Sequence, residues 1–325
     1  MIQRPPHIDE DWLALQFVAK REHAGWRADI FISNQIPRLS RTKVKRILSR
    51  SAFDDRGKPF KPNRAIAEGE RITIFRPPPS EPDVPRFYTI LYEDESLFVI
   101  DKPPGLPVHP TARYHRNTLT ALLREQFGDG RPILAHRIDS ETSGVLVLAK
   151  NKETERTLKK RFADRKVQKS YLAITQGAVT PSNGRIEVPL GPDPDGPIKV
   201  KMAPVETGLP ALTEYFVRRN LGSSTLLECL PRTGRQHQIR AHLSYMGHPI
   251  VGDKMYGSDP ELFLDYIEQG PTPQILERAG APRHFLHAST IAFAHPTTEK
   301  PFSITAPLPS DMSEYIVFHS KDAEN

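Results

Sequence analysis

The chain has 325 residues, a formal net charge of +6 and one cysteine. Its length exceeds that of an ordinary single domain, so we expect two domains or one large bilobal domain. A single cysteine excludes an internal disulfide and a cysteine-based metal site, which is typical of a reducing cytoplasm. No apolar run approaches the roughly 18 residues of a membrane span, and the N-terminal residues contain no apolar segment typical of a signal peptide.

Positive charge is concentrated between Pro37 and Arg76, where twelve Lys or Arg residues accompany four Asp or Glu residues. A basic region of this kind is typical of a protein that binds a polyanion such as RNA. A charged surface that contacts only solvent is the alternative. The basic residues are Arg38, Arg41, Lys43, Lys45, Arg46, Arg50, Arg56, Lys58, Lys61, Arg64, Arg71 and Arg76.

One helix is predicted inside this basic region. Ser40 is a suitable N-cap, and Val44, Ile47 and Leu48 follow at the spacing of a buried stripe. The cationic residues lie away from that stripe and remain free for phosphates. We therefore expect RNA contacts from four residues: Arg41, Lys43, Arg46 and Arg50.

The proline-rich segment 77–86 is typical of a semi-rigid linker and predicts a domain boundary. Residues 1–80 are expected to form a small basic domain with a core at about 24–76, and residues 81–325 a larger domain. Strands outnumber helices in the larger domain, which predicts an α+β fold. Strands are expected at 89–92, 97–100, 145–149, 170–175, 187–190, 212–218, 225–230 and 285–294, and helices at 118–127, 153–165 and 236–246.

Residues 134–150 join a charged turn to an unbroken apolar run, a pattern typical of a site at the mouth of a buried strand. Arg137 and Asp139 are two residues apart, so in extended backbone both side chains point into one cleft. The segment from Thr142 to Gly144 supplies turn-forming residues. A surface turn with an incidental ion pair explains the same pattern.

In the helix predicted at 236–246, Arg240 lies at the edge of the apolar face. An Arg in this position either reaches into a cleft while its stem stays packed or extends along the surface. His237 and His242 are five residues apart, whereas two metal ligands on one helical face are four apart. We therefore expect no zinc site, and we expect these histidines to hydrogen-bond protein or RNA.

The segment HRIDSETSG at 136–144 resembles the HRLDxxTSG signature of the RluA-type pseudouridine synthases. The resemblance spans residues 85–310 and implies a pseudouridine synthase fold, with a mixed, mainly antiparallel sheet and a central cleft. Residues 26–76 also resemble the small α-L RNA-binding domain, although Asp54–Gly57 replaces its usual Val-Asn-Gly turn. Further segments match the synthase family in order: YEDE at 92–95 with FVIDKPPGLPVHP at 98–110, KSYLAI at 169–174, and TGRQHQIRAH at 233–242 with GHPIVGDK at 247–254.

The resemblance also implies roles for individual residues. Asp139 corresponds to the catalytic nucleophile, Arg240 to its cationic partner, and Tyr171 to an aromatic ring that contacts the target base. Arg137 would occupy the space that the base leaves when it flips out of the RNA. Further residues within the matching segments are expected to contact RNA: His136, Arg235 and His237.

The implied reaction is isomerisation of uridine to pseudouridine in structured RNA, either ribosomal RNA or, as the alternative, transfer RNA. It replaces a nitrogen–carbon bond by a carbon–carbon bond and needs no redox cofactor or metal. A carboxylate that is ionised at neutral pH suits the cationic character developing on the sugar. We expect a monomeric cytoplasmic enzyme that acts on RNA and has no association with membranes.

Three other functions fit parts of the pattern. Asp139 and Glu141 would be the carboxylate pair of a hydrolase, although they are close together for flanking a sugar. Cys229 would supply the thiolate of a uridine carbon-5 modifier, but its apolar surroundings favour a buried hydrophobic residue. The basic region alone would serve a non-catalytic RNA-binding protein, which has no need for Asp139, Tyr171 and Arg240 together.

Overall fold

A computed structural model describes residues 4–9, 12–37, 39–77, 81–111, 114–257, 259 and 261–320. The chain divides into two compact units, residues 1–80 and 81–325. Arg38 of the basic region and residues 78–80 of the predicted linker lie outside the described residues. Within the described ranges, no helix is long and apolar enough to cross a membrane.

The first unit packs two helices against a three-stranded antiparallel sheet in which the last strand is central. Ser40 accepts a hydrogen bond from the backbone N–H of Lys43, and Val44 and Leu48 are buried against Phe31, so the predicted cap and stripe are confirmed. The elements are β1 (Leu13–Val18), α1 (Ala28–Gln35), α2 (Arg41–Ser51), β2 (Ala52–Phe53) and β3 (Arg71–Arg76), with a 3-10 turn at Arg21–His23.

The solvent side of α2 carries the cationic residues expected there. Lys43, Arg46 and Arg50 are exposed. Among the described residues none of the three has a carboxylate within 4 Å, whereas Arg41 pairs with the buried Asp29 at 3.4 Å. Three cations of α2 are therefore unpaired on the surface, and their contact with RNA remains a prediction.

The second unit is built on a ten-stranded sheet with the strand order β4-β5-β7-β14-β8-β13-β12-β9, while β6 pairs with β7 and β15 with β14. The strands are β4 (Thr89–Glu93), β5 (Leu97–Lys102), β6 (Ile133–Leu134), β7 (Ser143–Ala149), β8 (Gln168–Gln176), β9 (Asn183–Glu187), β10 (Leu190–Pro192), β11 (Met202–Pro204), β12 (Leu212–Asn220), β13 (Ser224–Pro231), β14 (Leu286–Ala294) and β15 (Pro301–Thr305). The strands β10 and β11 form a separate hairpin. The predicted α+β fold with a mainly antiparallel sheet is confirmed.

Six α-helices accompany this sheet in the described part of the second unit. Three of them were predicted, and the helix expected at 153–165 ends earlier, at Ala163, while that expected at 236–246 begins at Gln238. The helices are α3 (Leu119–Phe127), α4 (Lys152–Ala163), α5 (Gln238–Tyr245), α6 (Leu262–Gln269), α7 (Pro273–Ala279) and α8 (Ser310–Ser320), with a 3-10 turn at Gly128–Gly130.

The strand predicted at 187–190 is wrong. In the structure β9 ends at Glu187 and β10 begins at Leu190, in a different sheet. Pro189 lies between them, and proline has no backbone N–H with which to continue a ladder. The chain therefore changes sheets at this proline.

One junction in the large sheet is parallel. Among the described strands, only β7 and β14 pair in parallel, with Ser143 opposite His287 and Gly144 opposite Ala288. Gly144 has a φ of +107°, and a Cβ atom there would lie 2.2 Å from the carbonyl oxygen of Ala288. Glycine is thus required by both conformation and space where the two halves of the sheet meet.

We predict that Gly144→Ala destabilises the protein by at least about 3 kcal/mol, because the methyl group forces β7 away from β14. Gly222→Ala is the matched control, since Gly222 also has a positive φ but open space around its Cβ position. That control should cost only about 1 kcal/mol. Urea denaturation measures both losses, and equal losses would show that the contact with Ala288 is unimportant.

Candidate active site

A cavity of about 470 Å³ lies at the N-terminal end of β7, beside β8 and α5. It brings together residues from three distant parts of the sequence. The remaining predicted RNA contacts, Arg41, Lys43, Arg46 and Arg50, belong to α2 in the first unit. Seven of the predicted site residues line the cavity: His136, Arg137, Asp139, Tyr171, Arg235, His237 and Arg240.

Asp139 is held in a hydrogen-bonded turn directly before β7. The backbone N–H of Thr142 donates to the Asp139 carbonyl over 3.2 Å, which confirms the predicted turn. The next carbonyl, of Ser140, accepts from the buried Lys102 ammonium and from the N–H of Gly105, each over 2.8 Å. Lys102 also donates to two carbonyls of its own loop. The backbone next to Asp139 is therefore held in place by hydrogen bonds from Lys102 and Gly105.

Arg240 connects two carboxylates. Its Nε and Nη2 donate to Asp253 over 2.7 and 2.9 Å, and its Nη1 donates to Asp139 Oδ2 over 2.8 Å. Asp253 accepts two further bonds, from the backbone N–H groups of Met255 and Tyr256. The guanidinium carbon lies 4.9 Å from the centre of the Tyr256 ring. Arg240 is thus buried and fully oriented, so the alternative of an Arg extended along the surface is wrong.

Asp139 is the carboxylate of this group that reaches the cavity, because its side chain is 24% exposed while that of Asp253 is fully buried. Its Oδ2 is bonded to Arg240, and its Oδ1 has no hydrogen-bond donor in the described part of the chain. Burial is the largest single influence and would raise the pKa of Asp139, but the charge and hydrogen bond of Arg240 together with two nearby histidines outweigh it and lower the pKa below its usual value. The carboxylate is ionised at neutral pH and keeps one oxygen free.

Tyr171 supplies an aromatic surface to the same cavity. It lies on β8, two residues after Lys169, so both side chains leave the strand on the side that faces the cavity. Burial and the nearby Asp139 charge raise the pKa of its phenol, which stays protonated. Its hydroxyl has no partner among the described residues. The ring is therefore positioned by the strand and by packing against neighbouring hydrophobic side chains, without a hydrogen bond to its hydroxyl.

Two histidines in the cavity wall are held by protein contacts. His136 accepts from the N–H of Val147 over 2.9 Å and stacks on Phe162, and burial lowers its pKa to about 3. His237 has a φ of 53° and bonds the Tyr256 hydroxyl through Nδ1. Burial lowers the pKa of His237 to about 4, so it is neutral at pH 7. Both histidines shape the wall, and their contact with RNA remains a prediction.

Two cations of the cavity differ in how they are held. Arg137 is exposed, and its guanidinium makes no hydrogen bond or ion pair within the described ranges. Arg235 donates through Nε to the carbonyl of Pro210 over 3.1 Å. Arg137 is consequently the less restrained of the two side chains.

The alternative sites predicted from sequence do not form. Glu141 does not line the cavity and instead bonds Lys254 and the backbone N–H of His284. Burial would raise the pKa of Glu141, but His284 and Lys254 lower it to about 2. Cys229 is buried, which raises its thiol pKa to about 12. A hydrolytic pair of Asp139 with Glu141 and an activated thiol are both unsupported.

Sequence reasoning missed Asp253 and Lys254, although they end one of the matching segments. The signal was a charged pair separated by only Gly252 from the apolar residues Ile250 and Val251, which indicates buried charges. In the structure both side chains are buried. Asp253 binds Arg240, and Lys254 binds Glu141.

Comparisons with known proteins agree with this geometry. Residues 96–245 match the model of the RNA pseudouridylate synthase family. The chain is 36% identical over 303 residues to an RNA pseudouridine synthase of Chlorobaculum parvum, covering 88% of this chain and 91% of the relative. It is 34% identical to ribosomal large subunit pseudouridine synthase D of Xanthomonas campestris, covering 91% and 90%.

A solved structure is also similar. The human RNA pseudouridylate synthase domain containing 4 aligns with a TM-score of 0.55 and 30% identity, covering 72% of this chain and 93% of the human one. The fold, the site and these relatives together define an isomerase that acts on RNA. The chain belongs to the RNA pseudouridine synthase family, in its RluA-type branch.

We predict that Arg240→Lys lowers the single-turnover rate of pseudouridine formation at least tenfold. A lysine retains the charge but cannot bond Asp253 twice and Asp139 once, and each lost charged hydrogen bond costs about 1.5–3 kcal/mol. Arg218→Lys, at a surface ion pair with Glu228, is the control and should keep the wild-type rate. A wild-type rate in the Arg240→Lys protein would mean that the planar guanidinium is dispensable.

Proposed function

We propose that the protein converts specific uridines of large-subunit ribosomal RNA to pseudouridine and that Asp139 is the catalytic carboxylate. The observation that carries this proposal is the ionised Asp139, tied to Arg240 through one oxygen and open to the cavity through the other. Ribosomal RNA is the proposed substrate because a relative that matches over 91% of this chain is named for the large ribosomal subunit.

The reaction conserves all atoms of the nucleotide. The bond from uracil N1 to the ribose C1′ breaks, the uracil turns over, and a bond from C5 to C1′ forms. The proton on C5 leaves, and N1 gains one. The protein has to stabilise a cationic sugar and hold the detached uracil; the proton lost from C5 balances the one gained at N1, and no electron transfer is involved.

Asp139 meets the first requirement. An ionised carboxylate either forms an ester with C1′ or removes a proton from the sugar, and both routes need an unprotonated oxygen. Oδ1 is that oxygen, since it accepts no hydrogen bond from the described residues and has only His237 Nε2 nearby, at 3.9 Å, while Arg240 bonds Oδ2. No separate base is needed to activate Asp139, because its pKa is already low.

Tyr171 and Arg137 meet the second requirement in this proposal. The Tyr171 ring offers a flat surface on which uracil stacks, and a stacked base is worth about 1–3 kcal/mol. Its protonated hydroxyl avoids placing a second negative charge beside Asp139. Arg137, which has no protein partner in the described residues, fills the gap that the flipped uridine leaves in the RNA.

The substrate is tested by mapping pseudouridine in total RNA from cells with and without the gene. We expect one or more pseudouridines of large-subunit ribosomal RNA to disappear and to return when the gene is restored. Loss confined to transfer RNA would replace ribosomal RNA as the substrate. An unchanged map, together with an inactive purified protein, would refute the proposed function.

We predict that Asp139→Asn abolishes isomerisation while RNA affinity stays within a few-fold, because the amide keeps the size of the side chain and removes its charge. Tritium release from RNA labelled at uracil C5 measures the reaction, and filter binding measures affinity. Asp164→Asn, at an exposed residue that ends α4, is the control. Measurable turnover by a homogeneous preparation of the Asp139→Asn protein contradicts the assigned role.

We also propose that the first unit holds RNA through phosphates. Its contribution should be non-specific and dependent on salt, because each phosphate that binds a cation releases counterions. The unpaired Lys43, Arg46 and Arg50 on α2 support this proposal, as does the separation of the chain into two compact units. The catalytic cavity would recognise the flipped base by itself.

We predict that deleting residues 1–80 leaves a folded protein that binds RNA more weakly, with a shallower slope of log affinity against log salt. The rate at saturating RNA should change little. Replacing Lys43, Arg46 and Arg50 with Ala should reduce the slope by up to about one unit per lost phosphate contact.

The control for this experiment replaces Arg124, Lys152 and Lys300, three exposed residues of the second unit, with Ala. It removes the same charge and should leave the slope nearly unchanged. If the truncated and α2 proteins both keep the full-length slope and affinity, the basic helix contacts only solvent.

A further inference from the structure

A second cavity of about 370 Å³ adjoins the active-site cavity. Both cavities are lined by Arg165, Lys169 and Arg232, so they share a cationic wall. Among the lining residues of the two cavities, the single carboxylate is Asp139. A continuous positive path therefore leads from the catalytic carboxylate into the second cavity.

The charge of Arg232 is already paired, because Glu214 accepts two hydrogen bonds from its guanidinium. Lys169 differs. Its ammonium donates to the carbonyl of Thr233 over 3.3 Å, and in the described part of the chain no carboxylate lies within 4 Å of it. Burial lowers the pKa of Lys169, which is the mark of a cation without a counter-charge. Two of its three N–H donors are free for an anion.

Arg165 adds a second cation through an unusual backbone position. After α4 ends, the N–H of Lys166 bonds the carbonyl of Arg161 and the N–H of Arg165 bonds that of Phe162. This pair of bonds is the Schellman motif, whose left-handed residue is usually glycine. Here that residue is Arg165, with a φ of 58°. Its guanidinium lines both cavities and has no partner among the described residues.

We propose that Arg165 and Lys169 form a binding site for one RNA phosphate, that of a nucleotide directly next to the target uridine in the chain. The inference rests on the proposed function and deepens it. Lys169 and Tyr171 leave β8 on the same side, about 6.6 Å apart along the strand. A uracil stacked on Tyr171 thereby brings an adjacent phosphate within reach of the Lys169 ammonium.

The physical reason for a phosphate is charge balance. Two cations without a carboxylate partner, the half-buried Lys169 and the exposed Arg165, line the same two cavities, and one phosphate there would supply a counter-charge to both. The left-handed backbone at Arg165 costs about 1–2 kcal/mol relative to glycine, so its side chain has a use that glycine cannot supply. An uncharged group in the second cavity would leave both cations unpaired.

The test uses a short RNA that contains a uridine which the wild-type protein converts. Copies of this RNA carry one neutral methylphosphonate, either 5′ or 3′ of that uridine. The RNA concentration that gives half the maximal single-turnover rate is measured for the wild type, Lys169→Met and Arg165→Gly. Lys300→Met, an exposed residue that lines neither cavity, is the control.

With wild-type protein, one of the two neutral linkages should raise the half-saturating concentration roughly tenfold, the value of one charged hydrogen bond. Lys169→Met and Arg165→Gly should each raise it similarly on unmodified RNA. The same neutral linkage should then cost these variants little more. Arg165→Gly should also keep or raise the melting temperature, because glycine suits the left-handed position, so weaker binding by this variant does not arise from unfolding.

The proposal is overturned if the variants bind unmodified RNA like the wild type or if each neutral linkage costs them as much as it costs the wild type. A wild-type protein that converts no uridine in any RNA overturns the proposed function instead, and this inference with it. If the wild type converts the uridine normally but the substitutions and the neutral linkage act independently on the half-saturating concentration, only the proposed phosphate site is refuted.

Discussion

The candidate active site depends on a buried group of three charges, Asp139, Arg240 and Asp253. Removing an ion from water costs several kcal/mol, so such a group persists only when its hydrogen bonds are satisfied. Asp253 is satisfied by two bonds from Arg240 and two from backbone N–H groups. Another N–H of the guanidinium, on Nη1, bonds Asp139. The excess negative charge of the group therefore lies on the carboxylate that faces the cavity.

The surroundings of that carboxylate reconcile two opposing needs. RNA is a polyanion and would be repelled by an isolated negative charge, yet the sugar chemistry requires one. The cavity wall resolves this conflict because unpaired cations such as Arg137 and Lys169 surround Asp139. In the proposed function these cations attract the phosphates, while His136 and His237 are neutral at pH 7.

The sequence was sufficient to predict Asp139, Tyr171 and Arg240 as neighbours, because each lies in a short segment typical of one family. It was not sufficient for Asp253, whose partner is fixed by tertiary packing and not by local spacing. The strand predicted at 187–190 is interrupted at Pro189, which has no backbone N–H for a ladder. The prediction followed the apolar pattern and gave this proline too little weight. The helices α7 and α8 were missed because their apolar residues are few or lack a clear helical period, whereas α6 is amphipathic but only eight residues long. Helices this short depend on packing within the second unit.

The parallel junction between β7 and β14 has a consequence for how the enzyme comes into being. Ser143 and His287, which meet there, are 144 positions apart in the chain. The strand β14 also lies between β7 and β8, which carry the turn of Asp139 and the ring of Tyr171. Contacts of such long range form late in folding, and synthesis proceeds from the N-terminus. A growing chain that lacks β14 thus cannot yet hold the turn of Asp139 beside the ring of Tyr171, so the cavity is complete only after this late strand has been made.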